Sequence, residues 1–355
     1  MLVDLKDRSY QIQIGSNLLE SLGQKIAGLT SAKKCAIVTD DRVGPIYAER
    51  VLESLHSANI QPFLLTVSAG EKSKSLSTAE VLLDKMTEAG LDRSSFVIAF
   101  GGGVIGDLAG FVASIYFRGI PYIQIPTTVL AQVDSAIGGK TGVNLASGKN
   151  LVGSFHQPKA VFVDVSTLKT LPKREFNEGF AEIIKHAVIR DAELFQRLLN
   201  FERSNIEELT AIIQRNIEIK AAIVSQDEFE TLGLRALLNF GHTIGHGIEN
   251  AAGYGVLLHG EAISLGLVAA ARLSVAKAGM SQADCDAIVS LLTHFELPTR
   301  LPETIATESI LQALAKDKKF SDGQIRFVLS PKIGEAFLSK DITLKDIQRE
   351  IEALR

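Results

Sequence analysis

The chain has 355 residues, of which 46% are hydrophobic and 22% charged, with a formal net charge of −4 and a pI near 6.0. That apolar content supports a large buried core and excludes a disordered chain. The slightly acidic balance argues against nucleic acid as the main ligand, because a phosphate-backbone binder shows a basic excess. At roughly 150 residues per domain, the length suggests two domains. The two cysteines, Cys35 and Cys285, build no disulfide framework and stand in no metal-ligand spacing, a usage that fits a reducing compartment. Met1 to Asp7 carries no apolar signal region, and no run approaches the ~18 apolar residues of a membrane span. The expectation is an unprocessed, soluble, cytoplasmic protein with neither membrane nor nucleic acid as partner.

The first half alternates short apolar runs with helical patterns. Ala36–Thr39, Phe63–Thr66, Phe96–Phe100, Tyr122–Pro126 and Ala160–Asp164 read as strands. Continuous apolar strands separated by helices imply a parallel sheet covered on both faces. Ser77 with Glu80 predicts a capping box ahead of Val81, Leu82, Leu83 and Met86. Leu171-Pro172-Lys173-Arg174 breaks the pattern, which places an α/β domain over 1–175 and a mainly helical domain over 176–355. In the second, Phe176–Ile189, Ile206–Val224, Gly260–Ala278 and Gln282–Phe295 carry apolar residues near a 3.6 period. Ile325–Leu329 and Glu335–Leu338 predict a strand pair, and Thr343 with Asp346 starts a last amphipathic helix.

Phe96–Phe100 runs straight into Gly101-Gly102-Gly103-Val104-Ile105-Gly106-Asp107, ahead of a helix over Leu108–Ser114. Gly101, Gly103 and Gly106 satisfy G-x-G-x-x-G, whose glycines let backbone approach a pyrophosphate at a helix N-terminus. Taken alone, the motif fits a tight strand–helix turn as well. It also follows the third predicted strand rather than the first, unlike an ordinary dinucleotide fold. Thr127 and Thr128 end the next strand, at the sheet edge where ligands bind in open α/β sheets. Gly139-Lys140-Thr141 has a P-loop flavour, but no glycine stands where that motif needs its first one.

Three of the seven histidines, His242, His246 and His259, fall within 18 residues. His242 and His246, four apart, share a helix face, and upstream Glu182 and Lys185 share another. Two imidazoles and a carboxylate form an open catalytic zinc arrangement that can acidify a bound hydroxyl. Spacing does not fix which two histidines bind. Lys140, Lys149, Lys185, Lys220, Arg235 and the run Lys316-Asp317-Lys318-Lys319 are candidates for holding an anion. Arg235 stands out, in an apolar, glycine-rich stretch beside the histidines, and a cation next to a metal suits a phosphate- and carboxylate-bearing substrate.

With these residues in place, the chain resembles the 3-dehydroquinate synthase family of sugar phosphate cyclases. The matching segments are GGGVIGD at Gly101–Asp107, PTT at Pro126–Thr128, DSAIGGKTGVN at Asp134–Asn144, KNLVGSF at Lys149–Phe155, TLKT at Thr167–Thr170, EGFAEIIKH at Glu178–His186, LNFGHTIGH at Leu238–His246, HGE at His259–Glu261 and DKK at Asp317–Lys319. They follow the family's order from about residue 70 to residue 320. The resemblance implies a Rossmann-like NAD⁺ domain, a helical C-terminal domain and a homodimer. It further implies that Glu182, His242 and His259 hold Zn²⁺ or Co²⁺. Glu71, Lys74, Gly103, Val104, Ile105, Gly106, Asp107, Thr127, Thr128, Lys140, Lys149, Thr167, Leu168, Lys169 and Thr170 would line the NAD⁺ site. Asp134, Lys140, Asn150, Lys185, Lys220, Arg235, Asn239, His246 and Lys318 would meet the substrate, and Arg118 would reach the substrate phosphate across the dimer interface. The family departs from this chain in two places, with one residue fewer between Lys220 and Arg235 and commonly Asp where Ala69 stands.

The implied substrate is 3-deoxy-D-arabino-heptulosonate 7-phosphate, and the products are 3-dehydroquinate and phosphate. The implied steps are oxidation of a metal-bound hydroxyl by NAD⁺, β-elimination of phosphate, return of the hydride and an intramolecular aldol closure. Other sugar phosphate cyclases and metal-dependent polyol dehydrogenases share the architecture. Glu182 in the ligand slot and the basic set Lys140, Lys185 and Arg235 favour the dehydroquinate-forming cyclase over the dehydrogenase, and Asn239 and His246 favour it over the other cyclases.

Overall fold

The computed structural model describes residues 1–253, 255–315 and 325–355. The chain divides into two compact units, Met1–Leu171 and Pro172–Arg355.

In the first unit the elements are β1 (Leu2–Val3), β2 (Tyr10–Gly15), α1 (Leu22–Ala27), β3 (Lys34–Asp40), α2 (Gly44–Ser57), β4 (Gln61–Val67), α3 (Leu76–Glu88), β5 (Phe96–Gly101), α4 (Gly103–Ile115), β6 (Tyr122–Pro126), β7 (Lys140–Leu145), β8 (Gly148–Phe155) and β9 (Ala160–Asp164). Seven strands form one sheet in the order β1-β2-β9-β6-β5-β3-β4. All its pairings are parallel except β1 with β2. β7 and β8 form a separate antiparallel hairpin in which Gly142 lies opposite Gly153.

Side chains alternate across a strand, and β5 sorts them cleanly. Phe96, Ile98 and Phe100 enter the core with Leu22, Ile26, Val51 and Leu55 of α1 and α2. Val97 and Ala99 enter the opposite core with Leu82, Met86, Leu108 and Val112 of α3 and α4. β3 and β5 are neighbours, yet the helices that follow them, α2 and α4, cover opposite faces. The chain therefore reverses its winding between them, which opens a crevice at the carboxyl ends of these strands.

Three expectations are corrected here. The glycine segment follows the fifth strand of the chain, because β1 and β2 precede the strands expected from the sequence. Its helix begins at Gly103 rather than Leu108, so the glycines form the first turn. They let α4 lie close to the sheet: a Cβ on Gly106 would stand 2.7 Å from Gln124 Oε1. α3 is capped by Ser75, not Ser77; Ser75 is extended and its hydroxyl accepts the Thr78 N–H at 3.2 Å.

The second unit contains α5 (Lys173–Arg190), α6 (Ala192–Leu199), α7 (Ile206–Gln226), α8 (His242–Ala252), α9 (His259–Ala278), α10 (Gln282–His294), α11 (Thr307–Ala315), the antiparallel pair β10 (Ile325–Lys332) and β11 (Glu335–Ile342), and α12 (Leu344–Ala353). α5 and α9 are buried along most of their length; α9 is largely apolar, whereas α5 buries Glu178, Glu182, Lys185 and His186 among its apolar residues. Asp191, Asn205, Ser281 and Thr343 cap α6, α7, α10 and α12 through side-chain oxygens. α8 and α9 differ: α8 is preceded by left-handed Gly241, and α9 by Leu258, whose side chain has no acceptor. Among the described residues no helix is long and apolar enough to cross a membrane.

Candidate functional site

Glu182 sits inside α5 with no solvent exposure. Its Oε1 lies 3.2 Å from His242 Nε2 and 3.6 Å from His259 Nε2, each the first residue of its helix. Its Oε2 accepts from Lys185 Nζ, three residues on. Despite complete burial, Oε1 has no hydrogen-bond partner among the described residues. Buried carboxylate oxygens left this way are rare unless a ligand completes them. The two separations bracket the ~3.4 Å edge of a tetrahedron with ~2.1 Å metal–ligand bonds.

Both rings are oriented from behind. His242 Nδ1 is 3.1 Å from the Phe240 carbonyl, and His259 Nδ1 is 3.3 Å from Glu249 Oε2. Each acceptor favours the Nδ1–H tautomer, leaving an Nε2 lone pair aimed at Glu182. The His246 ring lies 5.1 Å from that of His242 and 5.8 Å from that of His259. The three histidines offer ligand atoms within 4.8 Å of one another, so His246 borders the same space.

Burial alone would push the Glu182 carboxyl up, but Lys185 and the two histidines outweigh it and hold it well below the usual range. Burial pushes His242 below its ordinary value, keeping it neutral as a ligand must be. At His259 burial opposes charge, yet Glu182 and Glu249 prevail and push the imidazole up to about 10. Two carboxylates thus favour a positive charge at this ring, carried by a proton and replaceable by a divalent cation that displaces it. One carboxylate and two neutral imidazoles suit Zn²⁺ or Co²⁺.

Lys185, Lys220 and Arg235 are buried at 1%, 5% and 4% exposure. Cations this buried need anionic or strongly polar company. Arg235 and Asn239 bound a 3₁₀ turn ahead of α8. The turn hangs on Asp227, whose carboxylate accepts the N–H groups of Thr231, Leu232 and Arg235 at 2.8 to 3.0 Å. Arg235 Nη1 donates to the Glu228 carbonyl at 2.6 Å. The expected substrate residue Lys318 lies outside the described residues.

In the first unit the glycine segment starts α4 with no side-chain cap, leaving its first N–H groups available to an anion. A Cβ on Gly103 would stand 2.9 Å from Ser135 Oγ, so this wall is closed to side chains. Val104, Ile105 and Asp107 continue the turn. Thr127 Oγ1 is buried with no hydrogen-bond partner among the described residues, while Thr128 Oγ1 accepts the Ala131 N–H at 3.1 Å. Lys74 Nζ donates to Asp107 Oδ2 and to Asn150 Oδ1, both at 2.5 Å. Asn144 Nδ2 donates to Glu71 Oε1 at 2.7 Å, and Asn144 Oδ1 accepts the Asn150 N–H at 2.9 Å. Glu71, Lys74, Asp107 and Asn150 are therefore one polar network.

Lys140, Lys149 and Asn150 ride on the β7–β8 hairpin, and Asp134 on the helical turn Ala131–Ser135. Thr167, Leu168, Lys169 and Thr170 form a 3₁₀ turn after β9, with Thr170 Oγ1 2.7 Å from the Tyr47 hydroxyl. Arg118 follows α4 in a left-handed pair, with φ of 48° at Phe117 and 69° at Arg118. Such strain is retained mainly where function requires it.

The sequence reading missed Glu249 behind His259, Glu178 beneath α9, and Asn144 at the centre of the polar network. Spacing contained the first two. Glu249 is seven residues after His242 and Glu178 is four before Glu182, each on its helix's shared face. Burial pushes the Glu178 carboxyl up to about 7 against the pull of its bond from Gly260.

A family model for the 3-dehydroquinate synthase N-terminal region matches residues 64–178, and one for the C-terminal region matches residues 179–320. The chain belongs to the 3-dehydroquinate synthase family. A 3-dehydroquinate synthase from Desulforamulus reducens is 46% identical over 352 residues, 97% of each chain. Among solved structures, 2-epi-5-epi-valiolone synthase from Streptomyces hygroscopicus subsp. jinggangensis, with NAD⁺ and Zn²⁺ bound, superposes with a TM-score of 0.89. It is 30% identical, with 99% of this chain and 98% of that one covered. A 2-deoxy-scyllo-inosose synthase complexed with carbaglucose-6-phosphate, NAD⁺ and Co²⁺ also scores 0.89 at 28% identity, covering 100% and 99%.

Proposed function

We propose that Glu182, His242 and His259 hold Zn²⁺ or Co²⁺ and that the glycine segment and its polar network hold NAD⁺. The chain then converts 3-deoxy-D-arabino-heptulosonate 7-phosphate to 3-dehydroquinate and phosphate, as a carbon–oxygen lyase of the shikimate pathway. The observation that carries the reading is Glu182 Oε1, fully buried, without a hydrogen bond from any described residue, and faced by two imidazoles whose Nδ1 atoms are already engaged.

When bound, the cation and NAD⁺ supply acidification and transient oxidation of a substrate hydroxyl. The chain's own groups fix the substrate. Lys185, Lys220 and Arg235 provide buried positive charge for carboxylate and phosphate, and the family resemblance assigns Asn239 and Lys318 to the same substrate. His246, at the border of the ligand set, holds or accepts a proton at its ring. The family resemblance assigns Asp134, Lys140 and Asn150 to the same substrate. Glu71, Lys74, Gly103 to Asp107, Thr127, Thr128, Lys140, Lys149 and Thr167 to Thr170 line the dinucleotide. The winding reversal between β3 and β5, and the Thr127 hydroxyl, unpartnered among the described residues, support that placement.

The reading also includes a cytoplasmic homodimer, in which Arg118 reaches a substrate phosphate bound by the partner subunit. The left-handed backbone at Arg118 and the exposure of Ile115 and Phe117, at 44% and 45%, support it.

The test is release of inorganic phosphate from the heptulosonate phosphate, with and without chelator, while absorbance of NADH is followed. Release that stops on chelation, returns with Zn²⁺ or Co²⁺ and leaves no net NADH is expected. Net accumulation of NADH would refute the cyclase, because only a simple dehydrogenase leaves its cofactor reduced.

A further inference from the structure

Three successive turns along one face of α5 meet three successive residues at the start of α9. Glu182 Oε1 lies 3.6 Å from His259 Nε2. One turn earlier, Glu178 Oε2 accepts the Gly260 N–H at 2.8 Å. One turn earlier again, Arg174 donates from Nε and Nη2 to the two oxygens of Glu261, at 2.6 and 2.7 Å. The two helices are pressed together at the middle rung, where a Cβ on Gly260 would stand 2.0 Å from the Glu178 carbonyl oxygen. Glu249 orients the His259 ring, but it does not fix where the backbone of His259 stands relative to α5.

The middle rung has the leverage to do so. α9 lacks a side-chain N-cap, and the Gly260 N–H is one of the donors that a helix start leaves without an intrahelical partner. Glu178 supplies the acceptor from a neighbouring helix, and its side chain is buried. The Arg174–Glu261 rung is weaker as an anchor, since the Arg174 side chain is 53% exposed to solvent.

We propose that Glu178 is a positioning residue for the cation site. By docking the first turn of α9 on α5 it sets the distance from His259 to Glu182 without touching the cation itself. The inference rests on the reading of Glu182, His242 and His259 as ligands.

The test uses the full chain, stripped with chelator and titrated with Co²⁺ against a coloured competitor while the visible d–d spectrum is recorded. Glu178→Ala is expected to weaken Co²⁺ about 10- to 100-fold, the usual cost of losing an outer support, and to alter the visible band. Glu178→Gln keeps an acceptor oxygen at the same reach and is expected to stay near the unaltered protein in both readings. Glu178→Asp keeps the charge but falls one methylene short of Gly260, so it should weaken Co²⁺ as Ala does, with unfolding in chelator confirming an intact fold. Unaltered affinity and spectrum in both Glu178→Ala and Glu178→Asp would overturn the proposal, as would a Gln variant as weak as Ala. The ligand reading is tested separately by Glu182→Ala: retention of the Co²⁺ spectrum in that variant sinks the ligand set itself, whatever the Glu178 variants do.

Discussion

Replacing Gly260 by alanine sets two effects of opposite sign against each other. In an isolated helix the change gains about 1 kcal/mol, because glycine carries the larger backbone entropy cost. Here the new Cβ would lie 2.0 Å from the Glu178 carbonyl oxygen and 2.7 Å from its carbon, where ordinary contact begins at 3.4 Å. Both atoms are backbone, so the start of α9 must withdraw from α5 by about 1.4 Å, the shortfall from ordinary contact. The 3.6 Å separation of His259 Nε2 from Glu182 Oε1 then approaches about 5 Å. Two metal bonds of ~2.1 Å span at most about 4.2 Å, so one cation can no longer join them. Overpacking costs about 1–3 kcal/mol, partly offset by the helical gain of about 1 kcal/mol, so stability in chelator should change by less than about 2 kcal/mol. Co²⁺ affinity should fall more than about 100-fold, or about 2.8 kcal/mol. Chelator competition measures the second and urea unfolding the first. An alanine variant that binds Co²⁺ as tightly as the unaltered protein would refute the reasoning, most plainly if it were also more stable.

Lys185→Met leaves Glu182 buried without its lysine partner, a change that costs about 3–5 kcal/mol for a buried pair. The loss should be large in chelator and smaller with saturating Zn²⁺, which supplies the counter-charge; equal losses under both conditions, read from urea midpoints, would contradict this. Gly106→Ala puts a Cβ 2.7 Å from Gln124 Oε1, the tip of a side chain only 4% exposed, and so crowds the first turn of α4 where the dinucleotide is proposed to sit. NAD⁺ should bind at least about tenfold more weakly by calorimetry, a loss of about 1.4 kcal/mol, and an unchanged Kd would count against the dinucleotide reading. At Asp227 burial favours the neutral acid, but the N–H groups of Leu232, Arg235 and Thr231 outweigh it and lower the carboxyl from 3.8. A carboxyl depressed by folding stabilises above its unfolded value and loses that contribution as pH falls through the folded one. The 227–235 loop should therefore hold at neutral pH and loosen only below pH 3.8. Hydrogen exchange at the Arg235 amide checks this, with Asp227→Ala expected to show fast exchange already at pH 7.

What the sequence disclosed depended on whether the signal was local. β5, β6 and β9 are buried throughout because both faces are covered, and their mostly apolar runs were legible as strands. β2 alternates buried and exposed residues along Tyr10-Gln11-Ile12-Gln13, a pattern that a search for continuous apolar runs passes over. β7 and β8 are rich in glycine and polar residues and stand outside the main sheet, so neither propensity nor burial marks them. Ser75 and Ser77 are equivalent in composition, and only the extended backbone at Ser75 makes it the cap. At the candidate metal site, the i, i+4 spacing placed His242 and His246 together but was silent on His259. That residue's position depends on where α9 starts relative to α5, a tertiary fact. The outer partners Glu249 and Glu178 share helix faces with ligand candidates, a spacing that admits them as partners but does not show that they fold against α9.

The crossing of Gly142 and Gly153 has a consequence for engineering. A Cβ on Gly153 would stand 2.1 Å from the Thr141 carbonyl oxygen, and one on Gly142 2.7 Å from that of Val152. Each obstacle is main chain, so trimming a neighbouring side chain relieves neither, and changing both glycines together compounds the strain. A library aimed at new nucleotide or substrate preference should therefore vary Lys140 and Lys149 on this hairpin and keep Asn144 and the left-handed Asn150, with φ of 55°, which tie its polar network. Its two glycines should be frozen, because there the scaffold has no second solution to offer.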